Sequence, residues 1–119
     1  MNRRTAIIAA ALAPVSATAV AQHAGHGASA ARNEPASTRE FRAANTAMHR
    51  AMDVPFTGNA DRDFVAGMIP HHEGAVEMAR IILRHGRDPE VKRLAEAIIA
   101  SQQAEISQMR AMLARLPAR

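Results

Sequence analysis

Residues 64–85 carry two apolar stripes side by side, with one member of an adjacent histidine pair in each. Phe64, Met68, His71, Ala75, Met78, Ile82 and His85 recur at the 4-3-4-3 spacing of one helix face. Val65, Ile69, His72, Val76, Ala79 and Leu83 follow the same spacing on the neighbouring stripe. Successive helix residues differ by about 100°, so both series fit only a helix with a broad buried side. That reading puts both imidazoles on the buried side, in company with methionine sulfurs. Such a helix needs partners, and the rest of the chain supplies two.

The punctuation around this segment marks three helices. Ser37-Thr38-Arg39-Glu40 has capping-box spacing and opens a helix that runs to about Asp53, with Phe41, Ala44, Met48 and Met52 on its apolar face. Pro55, Gly58 and Asn59 make a turn. The second helix starts near Asp61, whose carboxylate and that of Asp63 suit the positive end of the dipole. It ends near His85, with Gly86 as its stop. Pro70 lacks the N–H for a bond to residue 66, so a kink or break is expected there, and a break would make four helices. Glu73, Glu77, Arg80, Arg84 and Arg87 form a solvent stripe opposite His71. Asp88-Pro89-Glu90 pairs an N-cap with a proline at the first position, opening a third helix to about Arg115. Its apolar face includes Val91, Leu94, Ala95, Ile98, Ile99, Gln102, Ile106, Met109 and Leu113. No strand pattern and no internal repeat competes. The expected fold is all-α: an antiparallel three- or four-helix bundle over residues 37–116.

The N-terminus reads as an export signal. Arg3 and Arg4 precede a short apolar stretch, and Ala19-Val20-Ala21 fits a small-x-small cleavage site, so residues 1–21 are expected to be a signal peptide. The stretch is too short for a stable bilayer anchor. The paired arginines leave both the general secretory and the twin-arginine routes open. Residues 22–36 read as a flexible leader containing His23 and His26. The expected location is the periplasm or outside the cell.

The formal charge of +4 comes from 15 basic and 11 acidic residues. Losing Arg3 and Arg4 leaves 13 against 11, or +2. With no Trp, no Tyr and no basic stripe, nucleic acid is not an expected partner. The absence of Cys rules out disulfides and thiolate metal sites.

What remains is a soft-ligand set. Thioether sulfur favours Cu(I), and imidazole suits both copper oxidation states. Met48, His49 and Met52 fall within about 140° on the first helix. Met68, His71, His72 and Met78 lie on the second, and Met109 and Met112 near the end of the third. Antiparallel packing across a short turn brings Met48–Met52 level with part of the 68–78 segment. Thioethers do not titrate, so such a site keeps affinity in acid, where imidazoles protonate. Singly, each methionine is a better gap-filler than ligand, and His85 reads as a C-terminal cap. His23 and His26, with the amine of Gln22 after cleavage, offer a looser capture site. Glu73 and Glu77 sit on the solvent stripe, and the chain has no Glu-x-x-His, which argues against a di-iron centre. Position 76 is Val, so the His-Glu-x-x-His protease motif is absent. No catalytic constellation stands out, and the chain is not expected to be an enzyme.

The block Asp61-Arg62-Asp63-Phe64, Met68-Ile69-Pro70-His71-His72-Glu73-Gly74-Ala75 and Met78-Ala79 resembles the signature of the bacterial family called domain of unknown function 305. Asp88-Pro89-Glu90, Leu94-Ala95, Ile98-Ile99, Gln102-Gln103, Glu105-Ile106 and Met109-Arg110 extend the resemblance, which covers roughly residues 41–116. The family includes the CopM-type copper-binding proteins. The resemblance implies a ferritin-like helical bundle, export to the periplasm, and copper binding through Met48, His49, Met52, His71, His72 and Met78. The family often has Trp where this chain has Met112. The expected function is therefore periplasmic binding of Cu(I), or of Ag(I) or Cu(II), for sequestration, tolerance or transfer. A copper-transfer protein or a second copy of the chain would be the partner. The competing readings are a structural or partner-binding bundle without metal, and a haem- or metal-dependent redox protein.

Overall fold

A computed structural model of the chain describes residues 33–118. The expected signal peptide, most of the leader, and His23 and His26 lie outside the described residues. Three helices follow in order: α1 over Ala36–Met52, α2 over Ala60–His85 and α3 over Pro89–Arg115. The all-α expectation holds, and no strand occurs among the described residues. None of these helices is long and apolar enough to cross a membrane. Helix α2 runs on through Pro70 without a break, so the helices among the described residues number three and not four. One missing N–H among 26 residues leaves the hydrogen-bond ladder intact on either side of the proline.

The ends of the helices show which local signals held. Asp88 caps α3 as expected: its Oδ1 accepts from the N–H groups of Glu90 and Val91 at 2.8 and 3.0 Å. Asn59 caps α2, accepting from the Arg62 N–H at 3.1 Å. The Ser37–Glu40 capping box does not form. Helix α1 starts one residue earlier, and Pro35 offers only its carbonyl, to the N–H groups of Thr38 and Arg39. Glu40 is drawn away to α2, where its carboxylate takes bonds from Arg84 and His85 at 2.7 and 3.0 Å. A charged pair is worth more to Glu40 than one backbone donor. The last leader residues are engaged too, since Glu34 pairs with Arg42 at 2.8 Å. Gly86 ends α2 with φ −67°, so left-handed backbone is not its role. A Cβ there would sit 2.6 Å from the Ile82 carbonyl oxygen.

Helix α2 is the middle of the three described helices. It packs on α1 and on α3, while α1 and α3 do not touch each other. The buried residues of α2 fall into two sets. Val65, Val76 and Ala79 share one side, and Gly74 and Ile81 lie about 180° away. The three helices therefore form an open layer with two broad faces. Helix α1 docks closely because Gly74 has no side chain: a Cβ there would lie 2.5 Å from Met48 Sδ. Arg62 reaches from the start of α2 to the carbonyls of Leu113 and Leu116, at 3.4 and 3.1 Å. These are among the carbonyls that the end of α3 leaves unpaired.

Candidate functional site

Cross-helix pairs fix the register. Glu40 meets Arg84 and His85, and Met48 lies over Gly74, so Met52 comes level with the turn containing His71. His72 meets Glu105 and Glu73 meets Arg110, so Met109 comes level with the turn containing Met68. The same pairs fix the faces. Glu40, Glu73, Glu77, Arg84 and Arg110 gather on one face of the layer. At 100° per residue, Met52 of α1, Met68 and Met78 of α2, and Met109 and Met112 of α3 turn to the other face, while Met48 packs over Gly74 within the α1–α2 contact. Five of the six methionines of the described residues thus share one side, and all six are half-buried.

The histidines differ from expectation. His71 is exposed, and only His72 is half-buried, with 17% of its side chain accessible. The stripe of His71, Phe64 and Met78 projects between the directions of α1 and α3. None of the three described helices covers it, and Phe64 is 65% exposed. The two rings stand with centroids 5.9 Å apart. His49 is exposed on the outer side of α1, away from the α1–α2 contact. Met78 sits two turns, or about 10 Å, along α2 from His71. Register therefore brings Met52, Met68, His71, His72 and Met109 of the expected set to one level of the layer, with Met48 a turn away. Met112 lies further down, level with Val65, and Met78 further up. No three side chains among His, Asp and Glu of the described residues converge on one point. Sulfur would have to supply most of the ligation.

His72 is held at both ring nitrogens. Its Nδ1 lies 2.8 Å from the Met68 carbonyl oxygen, and its Nε2 lies 2.7 Å from Glu105 Oε2. Sequence reading passed over Glu105, although a signal was there. Glu105 shares the helical stripe of Ile98, Met109 and Met112, an acid among apolar residues. On the opposite face the carboxylates meet arginines: Glu73 with Arg110 at 2.6 Å, and Glu40 and Glu77 with Arg84 at 2.7 and 3.2 Å. The solvent stripe of α2 therefore ties the three helices together. The Arg84 and His85 hydrogen bonds hold the Glu40 carboxyl below its usual range. At the entry to α2, the Thr57 N–H and hydroxyl and the Gly58 N–H do the same to Asp63, in a loop where Gly58 takes φ +92°. A cleft of about 610 Å³ opens on this charged face, between Glu73, Arg80, Gln103 and Arg110.

The family model "Domain of unknown function (DUF305)" matches residues 6–113, and the chain belongs to this family. A protein of Acanthamoeba polyphaga mimivirus, named "Uncharacterized protein L153", is similar to it, with 45% identity over 53 residues. The aligned stretch covers 44% of this chain and 35% of the viral protein, so the chain spans about a third of that relative's length.

Proposed function

We propose that this protein binds a soft metal ion, Cu(I) or its analogue Ag(I), with Cu(II) as a further species, and sequesters or transfers it in the periplasm. The observation that carries this reading is the collection of five methionines on one face of the layer, with Met48 in the adjoining α1–α2 contact and the His71–His72 pair among them. A packing role alone gives no reason for flexible thioethers from three helices to share the one face that none of the described helices covers. Thioether and imidazole donors prefer copper to hard cations such as Ca or Mg. The export signal pattern at residues 1–21 supports the periplasm.

The test is a competition titration of the mature protein with Cu(I) against a chromophoric chelator. A Met52→Leu/Met68→Leu/His71→Ala variant is expected to lose at least about tenfold in affinity, roughly 1.4 kcal/mol. Leucine keeps the volume, so the fold should survive. An unchanged affinity would show that these residues do not form the site. A wild-type protein that fails to compete would defeat the function itself.

A second reading rests on the same open face. Phe64 at 65% and Leu94 at 59% exposure are unusual for a helical layer, and they fit a partner protein or a second copy of the chain. Sedimentation of the metal-free protein separates a dimer from a monomer.

A further inference from the structure

Glu105 stands where an ion bound to His72 would have to be. At metal-binding histidines, one ring nitrogen commonly donates to a carbonyl or carboxylate, which fixes the ring and aims the other nitrogen at the ion. The Nδ1–H of His72 makes that bond, to the Met68 carbonyl at 2.8 Å. Its Nε2 is thereby aimed to the Met face, and meets Glu105 Oε2 at 2.7 Å. The two partners differ in how firmly they are placed. The Met68 carbonyl belongs to the backbone of α2, whereas the Glu105 side chain is 55% exposed. The other cross-helix carboxylates, Glu40 and Glu73, are held by arginine. Among the described residues Glu105 is joined to no arginine, only to an imidazole, which a soft cation can take over.

We propose that Glu105 is a competing latch on the metal face: its carboxylate occupies His72 Nε2 in the metal-free protein and gives way to a soft cation. This rests on the soft-metal reading above and adds a residue that sets the site's threshold. When the ion arrives, the Nδ1–H bond to Met68 stays, the proton that joins Nε2 to the Glu105 carboxylate leaves to water, the metal takes the freed Nε2 lone pair, and Glu105 turns into solvent. An exposed pair of this kind is worth little, so the latch lowers affinity by about two- to fivefold rather than blocking the site. Expelling the carboxylate also leaves a donor set of sulfur and nitrogen, which suits Cu(I) and Ag(I) better than a hard divalent ion. The opposite possibility, Glu105 as a ligand, predicts the opposite sign.

The decisive measurement uses Ag(I), which needs no reductant, titrated into the mature wild type and its Glu105→Asp and Glu105→Ala variants against a competing chelator. Glu105→Asp keeps the charge but shortens the reach, so it isolates the latch from simple attraction of a cation. Tightening of about two- to fivefold in Glu105→Asp is expected. Imidazole nitrogen spectra should place Ag(I) on Nε2 of His72 in both wild type and Glu105→Asp. Weaker binding in both variants would make Glu105 a ligand and overturn the latch. Unchanged binding in both variants, or Ag(I) on Nδ1, would overturn it as well, while leaving the soft-metal function standing. No binding by any of the three proteins would remove the function and the latch together. The position is exposed and helical, and thermal melts of the two variants check that both remain folded.

Discussion

The two faces of the helical layer are built from different chemistry. One is laced by Glu40–Arg84, Glu77–Arg84 and Glu73–Arg110, which tie α1 and α3 to α2. The other gathers five methionines, Phe64 and His71, and none of the described helices crosses it. Charged side chains on the first face are used up on one another, in pairs that span helices. Side chains on the second face have unspent capacity: sulfur lone pairs, an exposed imidazole and apolar surface. A helix with a broad apolar side thus serves two ends. It buries Val65, Val76, Ala79, Gly74 and Ile81 against its neighbours and leaves the stripe between them open.

The comparison breaks most visibly at Gly74, because this residue determines how closely the methionines of α1 approach α2. In Gly74→Val a branched side chain would enter the space of Met48 Sδ. Overpacking of this sort costs about 1–3 kcal/mol, more than the gain from replacing a helical glycine. Chemical denaturation should show a loss of about 2 kcal/mol. The variant should also bind Cu(I) more weakly, since Met48 and Met52 move with α1. Pairing it with Met48→Ala should restore part of the stability but none of the affinity. Equal losses in the single and double variants would show that Gly74 does not set the approach.

How much of this was readable in advance depended on how local the signal was. Asp88-Pro89-Glu90 needs only its own neighbours to start a helix, and α3 begins there. Ser37-Thr38-Arg39-Glu40 looks equally local, yet Glu40 spends its carboxylate 44 and 45 residues away, on Arg84 and His85. Periodicity marked one buried side of α2, that of Val65, Val76 and Ala79, and missed the other, that of Gly74 and Ile81. It could not tell which part of a wide stripe a neighbour covers, so His71 was expected buried and is exposed. Whether α1 and α3 sit side by side or on opposite sides of α2 depends on Gly74 and Ile81, residues outside both predicted stripes. Glu105 escaped because its partner is on another helix. Its place between Ile98 and Met109 was the clue.

Conservative changes sharpen the contrast at lower energy. Met68→Leu or Met109→Leu preserves apolar volume and should cost less than about 1.5 kcal/mol, with metal affinity falling far more than stability. Arg110→Gln removes one exposed cross-helix pair and should cost up to about 1 kcal/mol. Its effect should shrink in high salt and leave Cu(I) affinity alone. Thermal melts and chelator competition on the same samples give both quantities. A methionine variant that loses stability but not affinity would make the Met face a core rather than a site. An arginine variant that loses affinity would show that the two faces are coupled.

The smallest effect expected is a difference in acid. The Arg84 and His85 hydrogen bonds lower the Glu40 carboxyl below its ordinary value of 4.5. A depressed carboxylate adds stability that is fully present above its unfolded pKa and disappears as pH falls through the folded one. Asp63, depressed from 3.8 by the Thr57 and Gly58 donors, behaves the same way in the loop before α2. Both contributions should be constant near neutrality and fade below about pH 4.5. Both of these contacts secure α1 or the turn that follows it, whereas thioether packing on the opposite face does not titrate. Acid should therefore loosen α1 before α2 and α3. Amide exchange across pH 6 to about 3 should show protection falling first in residues 36–52. Glu40→Gln should lower protection there at pH 6 and flatten its further decline. If α1 and α3 lose protection together, or Glu40→Gln leaves the profile unchanged, the charged face does not hold α1 in the way its geometry indicates.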